Sequence, residues 1–321
     1  MSPLSPFADL WGQPQAVALL EQAVSLDRVA PAYLFVGPSG VGRRLAARCF
    51  VQLLCNQASS RPSAVINSQL ELGNHPDVLW VEPTYVVQNR RIPASQAEAE
   101  GVNRKTPPQI RLEQIREISR FLGRSPLVAS RNVVVMEQVE TMAEGAANGL
   151  LKTLEEPGQA TLLLLAPTLE SLLPTIVSRC QRIPFYRLSE PIVAKILTQQ
   201  GRGDLLDNSA LLKMAEGSPG EAIVCDRWLQ TLPAELLALA EQLPRHPRQA
   251  LTIAKQLAQA LEVEAQIWFL GYLQHCHWNP QRLRSSQSVL QRLEQARLQL
   301  QRSVNPRLVW EVLLLELSRS E

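Results

Sequence analysis

The segment Gly37-Pro-Ser-Gly-Val-Gly-Arg-Arg44 constrains this chain more than any other. It follows the apolar run Tyr33–Val36 and opens into helix-forming sequence at Leu45. Glycines at this spacing, between a buried strand and a helix, have the shape of a phosphate-binding loop, G-x-x-x-x-G-K-[ST]. In such a loop glycines, here Gly37, Gly40 and Gly42, let backbone N–H groups wrap phosphate oxygens. The lysine reaches the β- and γ-phosphates and the hydroxyl holds Mg²⁺. Here Arg43 stands at the lysine position and Arg44 at the hydroxyl position. The planar fork of Arg43 still suits a phosphate, although it is not a compact ammonium. Arg44 has no lone pair to offer a cation, and no lysine precedes Lys105. The loop therefore reads as a degenerate nucleotide site, a strand-to-helix turn kept for its geometry.

A loop of this kind demands a strand before it and a parallel sheet around it. Further short apolar runs answer that demand: Val78–Val81, Asn132–Met136, Thr161–Ala166 and Arg182–Tyr186. They lack polar alternation, as strands covered on both faces do. Helical segments separate them, including Glu113–Leu122 and Met142–Glu156. In the latter Thr141 and Glu144 have capping-box spacing. Ala147, Leu150, Leu151 and Leu154 make one apolar stripe, and Pro157-Gly158 stops the helix. Strand–helix alternation to about residue 187 predicts an α/β domain with a central parallel sheet. Beyond Leu188 the pattern is helical: Ile192–Gln199, Leu205–Glu216 and Pro219–Trp228, then Ala234–Ser318, with Pro244, Pro247, Pro280 and Pro306 as boundaries. Residues 83–108 are polar and aperiodic, which predicts an irregular surface insertion.

The second half of a nucleotide site is a strand ending in acidic residues. Val133–Val135 and Met136 supply the strand, and Glu137-Gln138 stand where an active ATPase has Asp-Glu. Glutamine cannot take a proton from water, so the general base is missing.

Composition narrows the remaining classes. With 32 basic against 30 acidic residues the net charge is +2, so no strongly basic face shows in the total. The most apolar stretch, Thr161–Val177, is interrupted by Pro167, Thr168, Glu170 and Pro174, and falls short of a membrane span. No secretory signal pattern opens the chain, and a cytoplasmic protein is expected. Five scattered cysteines, Cys49, Cys55, Cys180, Cys225 and Cys276, form neither a disulfide framework nor a Cys-x-x-Cys pair. His275-Cys276-His277 are adjacent and diverge on a helix, which favours a structural role over metal ligation.

Between the last two predicted strands lies Pro174-Thr-Ile-Val-Ser-Arg-Cys180. On spacing alone Arg179 reads as a surface arginine paired with a carboxylate. Together with Ala146–Pro157, this segment resembles bacterial clamp-loader subunits of the AAA+ class. Phe7, Gly12-Gln13, Ala32–Phe35, Gly73-x-His75-Pro-Asp77, Ile115-Arg116 and Asn305–Leu308 extend that resemblance over most of the chain. The broken phosphate site and His75-Pro-Asp77 resemble the delta-prime type rather than the ATP-hydrolysing tau/gamma type. The resemblance implies an AAA+ (P-loop NTPase-like) α/β base domain over 1–187, a small helical lid over 188–228 and an all-α collar over 229–321. It also implies that Arg179, within Ser178-Arg179-Cys180, is an arginine finger reaching ATP held by a neighbouring subunit. Implied partners are tau/gamma and delta subunits, with the sliding clamp and primed DNA reached through the complex. Two family features are altered here. Only Cys55 remains of a four-cysteine zinc module, so no zinc is expected. Gly217-Ser-Pro-Gly220 also lacks the arginine of a Gly-Ser-x-Arg phosphate sensor. No cofactor of its own is expected. Two rival functions remain: a weak, tau/gamma-like ATPase using Arg43, and a DNA-binding regulatory module.

Overall fold

The computed structural model describes residues 6–57, 62–97, 99–102, 107–261, 263–277, 283–302 and 304–318. The chain divides into two compact units, residues 1–196 and 197–321.

The first unit begins with helix α1 (Pro14–Ser25), strand β1 (Ala32–Val36), α2 (Arg43–Asn56) and α3 (Ser63–Glu71). Strands β2 (Val78–Val81), β3 (Thr84–Val87) and β4 (Arg90–Pro93) and helix α4 (Leu112–Leu122) follow. Then come β5 (Asn132–Met136), α5 (Glu144–Glu155), β6 (Ala160–Ala166), α6 (Pro174–Val177), β7 (Gln181–Pro184) and α7 (Glu190–Gln199). Five strands form one sheet in the order β2-β5-β6-β1-β7, and every pairing in it is parallel. All of β5 and β6 is buried, because helices cover both faces. One apolar cluster joins Phe35, Phe50, Leu54 and Val133 on one face. A second joins Leu34, Val134, Leu150, Ile115 and Ile176 on the other. The strands expected from apolar runs are all present, two with the expected bounds and three with ends shifted by one or two residues.

Two local expectations are corrected. Residues 83–108 are not an irregular insertion throughout, because β3 and β4 make an antiparallel hairpin pairing Tyr85 with Ile92. Both side chains are buried. The turn uses Gln88 and Asn89, each with positive φ, in place of the glycine that would have announced it. Thr84 Oγ1 donates to Gln114 Oε1 at 3.2 Å and Gln114 Nε2 donates to the Glu82 carbonyl at 2.9 Å, tying the hairpin to α4. Residues 98 and 103–106 of that segment lie outside the described residues. The second correction concerns α5, which starts at Glu144 with Ala143 at its cap. Thr141 is drawn into a preceding 3₁₀ turn, where its hydroxyl donates back to the Gln138 carbonyl at 2.7 Å.

The second unit is helical: α8 (Ser209–Ala215), α9 (Pro219–Thr231), α10 (Ala234–Glu241), α11 (Pro247–Ala260), α12 (Val263–His277), α13 (Leu283–Gln301) and α14 (Pro306–Ser318). The run expected over Leu205–Glu216 is divided at Asn208, whose side chain accepts from the Leu211 N–H at 3.1 Å and caps α8. Pro247 and Pro306 open their helices, where a missing N–H costs nothing. Pro280 lies outside the described residues. The core joins Phe269, Leu273, Leu293, Trp310 and Leu314. A buried polar link runs from Trp310 Nε1 to Gln266 Oε1 at 2.9 Å, with Gln266 Nε2 donating to the Leu261 carbonyl at 2.7 Å.

Asp77 explains the His75-Pro-Asp77 segment. Its buried carboxylate accepts from the backbone N–H groups of Leu127, Val128 and Ala129 at 2.7, 2.6 and 2.7 Å. The loop entering β5 is thus folded around one anion. Asp77→Ala strands three donors and is expected to destabilise the first unit by about 3 kcal/mol, measured by urea unfolding.

Candidate functional site

The phosphate-loop segment lies at the carboxyl end of β1. Gly37 passes so close to β7's continuation that an added Cβ would lie on the Phe185 carbonyl oxygen and within 2.8 Å of Phe185 Cβ. Gly40 and Gly42 have φ of 71° and 107°, a backbone shape that side chains resist. Val41 between them is buried. Gln13 clamps this loop: its Nε2 donates to the carbonyls of Val41 (3.2 Å) and Tyr186 (2.7 Å), and its Oε1 accepts from the Tyr186 N–H at 3.1 Å. The sequence matched Gly12-Gln13 to a family pattern without giving the reason. The reason is this three-way bond between α1's start, the loop and the end of the sheet.

Arg43 and Arg44 start α2. Arg43 reaches back to Ser39 Oγ at 3.4 Å. Arg44 turns the other way and pairs with Glu137, Nε to Oε1, at 3.1 Å. The same carboxylate oxygen accepts a short hydrogen bond from Trp80 Nε1, and the guanidinium sits 5.8 Å from the centre of the Trp80 ring. Trp80 was not anticipated as a site residue, since nothing in its spacing marks it. It enters because β2 and β5 are neighbours that end together, Val81 opposite Met136. Glu140 is also close: burial raises its carboxyl above the ordinary range while the charge of Arg43 opposes that rise. Gln138 sits exposed with φ 50°, its carbonyl occupied by the turn of Thr141.

A magnesium ion needs oxygen ligands at this position. The residues present offer a guanidinium instead, paired to the carboxylate that would serve as ligand. With Glu137 so engaged and Gln138 unable to accept a proton, the group does not fit metal-assisted hydrolysis. Gly217-Ser-Pro-Gly220 has a structural use. Ser218 caps α9 by accepting from the Glu221 N–H at 3.1 Å, and Pro219 and Gly220 follow.

Among the described residues no group of three or more His, Cys, Asp or Glu side chains is placed to hold a metal. Cys55 is fully buried in α2, and burial pushes its thiol up to about 12. His277 is engaged with the Leu239 carbonyl at 2.9 Å. Among those residues, no helix is long and apolar enough to cross a membrane.

Arg179 lies elsewhere. Helix α6 is anchored by buried Ile176 and Val177, while Ser178 and Arg179 are exposed. Cys180 packs against the apolar core and burial pushes its thiol up to about 12, so it is a packing group. The Thr175 carbonyl accepts from Ser178 Oγ at 3.1 Å and from Arg179 Nη1 at 3.0 Å. Arg179 Nη2 pairs with Glu155 Oε1 at 2.8 Å. This is the surface pairing that spacing alone suggested. Arg179 lies two residues before Gln181, which starts β7 beside Tyr33 near the beginning of β1. It therefore belongs to the amino-terminal edge of the sheet, whereas Gly37–Arg44 and Glu137 occupy the carboxyl edge.

Comparison with known proteins agrees with this fold. Residues 12–189 match the family model described as DNA polymerase III, delta subunit. Residues 192–317 match the model for the cyanobacterial DNA polymerase III delta prime, C-terminal domain. The chain is 34% identical over 221 residues to the DNA polymerase III subunit delta' of Pseudomonas aeruginosa, covering 66% of this chain and 60% of that protein. It is 29% identical over 192 residues to the Bacillus subtilis subunit delta', covering 59% and 52%. The matched parts are thus a little over half of each relative's length. A gamma subunit-related protein of Thermotoga maritima superposes with a TM-score of 0.55 at 16% identity, over 94% of this chain and 98% of that one. That likeness extends to the fold alone, a parallel sheet with helices followed by a helical region. By sequence, this chain belongs to the delta-prime family of DNA polymerase III clamp-loader subunits.

Proposed function

We propose that this chain is a non-hydrolysing stator of a clamp loader, and that Arg179 completes the ATP site of a neighbouring tau/gamma subunit. The observation that carries the proposal is the placement of Arg179. An exposed guanidinium at the amino edge of the sheet is separated by the length of β1, roughly 16 Å, from the chain's own phosphate loop. A phosphate that it contacts therefore belongs to another chain. Phosphoryl transfer spreads charge over the γ-phosphate, and an arginine supplied in trans stabilises it. On this reading residues 188–228 serve as lid and 229–321 as collar, and the sliding clamp and primed DNA are met through the assembled complex.

The chain's own loop supports the non-hydrolysing half of the proposal. The ion pair of Arg44 with Glu137 takes the position and the carboxylate that a metal would require. The balanced charge of the chain counts against an independent DNA-binding role.

Arg179→Ala is expected to leave folding and assembly intact and to remove one site's share of the complex's ATP turnover. At that site the loss is on the order of 10³ in rate. Steady-state phosphate release from the complex with tau/gamma and delta measures it, and an unchanged rate would falsify the finger assignment. A second expectation concerns the isolated chain. It should show no ATP turnover, and the double substitution Arg43→Lys, Arg44→Thr should not create any, because Gln138 still lacks a proton-accepting group. Turnover by the unaltered chain that disappears on Glu137→Gln would favour the weak-ATPase reading instead.

A further inference from the structure

The geometry points to Glu155 as a positioning residue for Arg179, holding the guanidinium ready at the subunit surface. This inference rests on the trans-acting role proposed for Arg179. Glu155 is the last residue of α5, and α5 leads directly into β6. Arg179 lies in the short segment between α6 and β7. Strands β6 and β7 flank β1 on either side and run parallel to it. Their starting ends therefore meet at one edge, and residues far apart in sequence come within 2.8 Å.

Local rules alone do not favour this arrangement. A carboxylate at a helix C-terminus faces the negative end of the helix dipole, and a lysine or arginine is the preferred residue there. Lys152 is exposed in the same last turn, yet Glu155 pairs with Arg179. An acidic group placed against local preference, with a cation brought from another element, marks a position where function competes with propensity.

The contacts also suit a finger. A guanidinium has five N–H donors in a planar fork. Arg179 gives one nitrogen to the Thr175 carbonyl and the other terminal nitrogen to Glu155. Both anchors fix the plane of the fork, and its remaining donors are left for an incoming phosphate oxygen. Thr175 holds through its backbone, on a helix pinned by buried Ile176 and Val177, so that anchor is insensitive to side-chain choice. Glu155 is the anchor that substitution removes. The pair is open to solvent on both sides, with side-chain exposures of 37% for Arg179 and 53% for Glu155. Such a pair is weak enough to yield when a phosphate arrives, and while formed it restricts the rotamers of Arg179.

The test is a double-mutant cycle in the assembled complex with tau/gamma and delta, using ATP and primed DNA. Glu155→Ala should lower kcat at the site completed by Arg179 about three- to fivefold, with KM for ATP little changed. Glu155→Gln keeps an acceptor oxygen and should recover part of that loss. In an Arg179→Ala background, Glu155→Ala should have no further effect, which a merely structural role for Glu155 would not predict. Full activity of Glu155→Ala alongside impaired Arg179→Ala would overturn this inference and leave the finger standing. The same fractional loss with and without Arg179 would also overturn it. Full activity of Arg179→Ala would remove both.

Discussion

The parallel sheet sets what every functional group in the first unit is able to reach. Parallel strands buried on both faces present chemistry only at their two ends, because their middles are sealed by helices. β1 lies between β6 and β7, so its carboxyl end carries the phosphate-type loop and its amino end is bordered by the segments starting those strands. Glu137 joins the first edge because β5 ends there. Arg179 and Glu155 join the second because they precede β7 and β6. The length of β1 separates the phosphate-type loop from Arg179.

Each edge is then stiffened by a buried or half-buried polar contact. Gln13 fixes the loop by bonding its backbone to the end of the sheet, and Asp77 gathers three backbone N–H groups ahead of β5. At the carboxyl edge Arg44 and Glu137 neutralise one another where an active relative would place a metal. At the amino edge the Arg179–Glu155 pair, unlike the Asp77 contacts, is exposed.

Much of this was legible in the sequence. The strand runs, the Gly37–Gly42 spacing and the substitutions at Arg43, Arg44 and Gln138 are local facts that depend only on residue type and order. The hairpin of β3 and β4 was hidden because its turn uses Gln88 and Asn89 at positive φ rather than glycine. The expected cap at Thr141 failed because a left-handed residue, Gln138, drew that hydroxyl into an earlier turn.

What the sequence by itself determined is the absence of a hydroxyl at Arg44 and of a carboxylate at Gln138, the positions where loop and strand spacing would place them. Those are absences of functional groups, and an absence is read directly from residue identity. Only the tertiary structure decided which groups meet. Trp80 reaches Glu137 because β2 and β5 end in register, and Glu155 reaches Arg179 because two strands flanking β1 begin at the same edge. Sheet order and register arise from packing across the whole unit, and no local spacing encodes them.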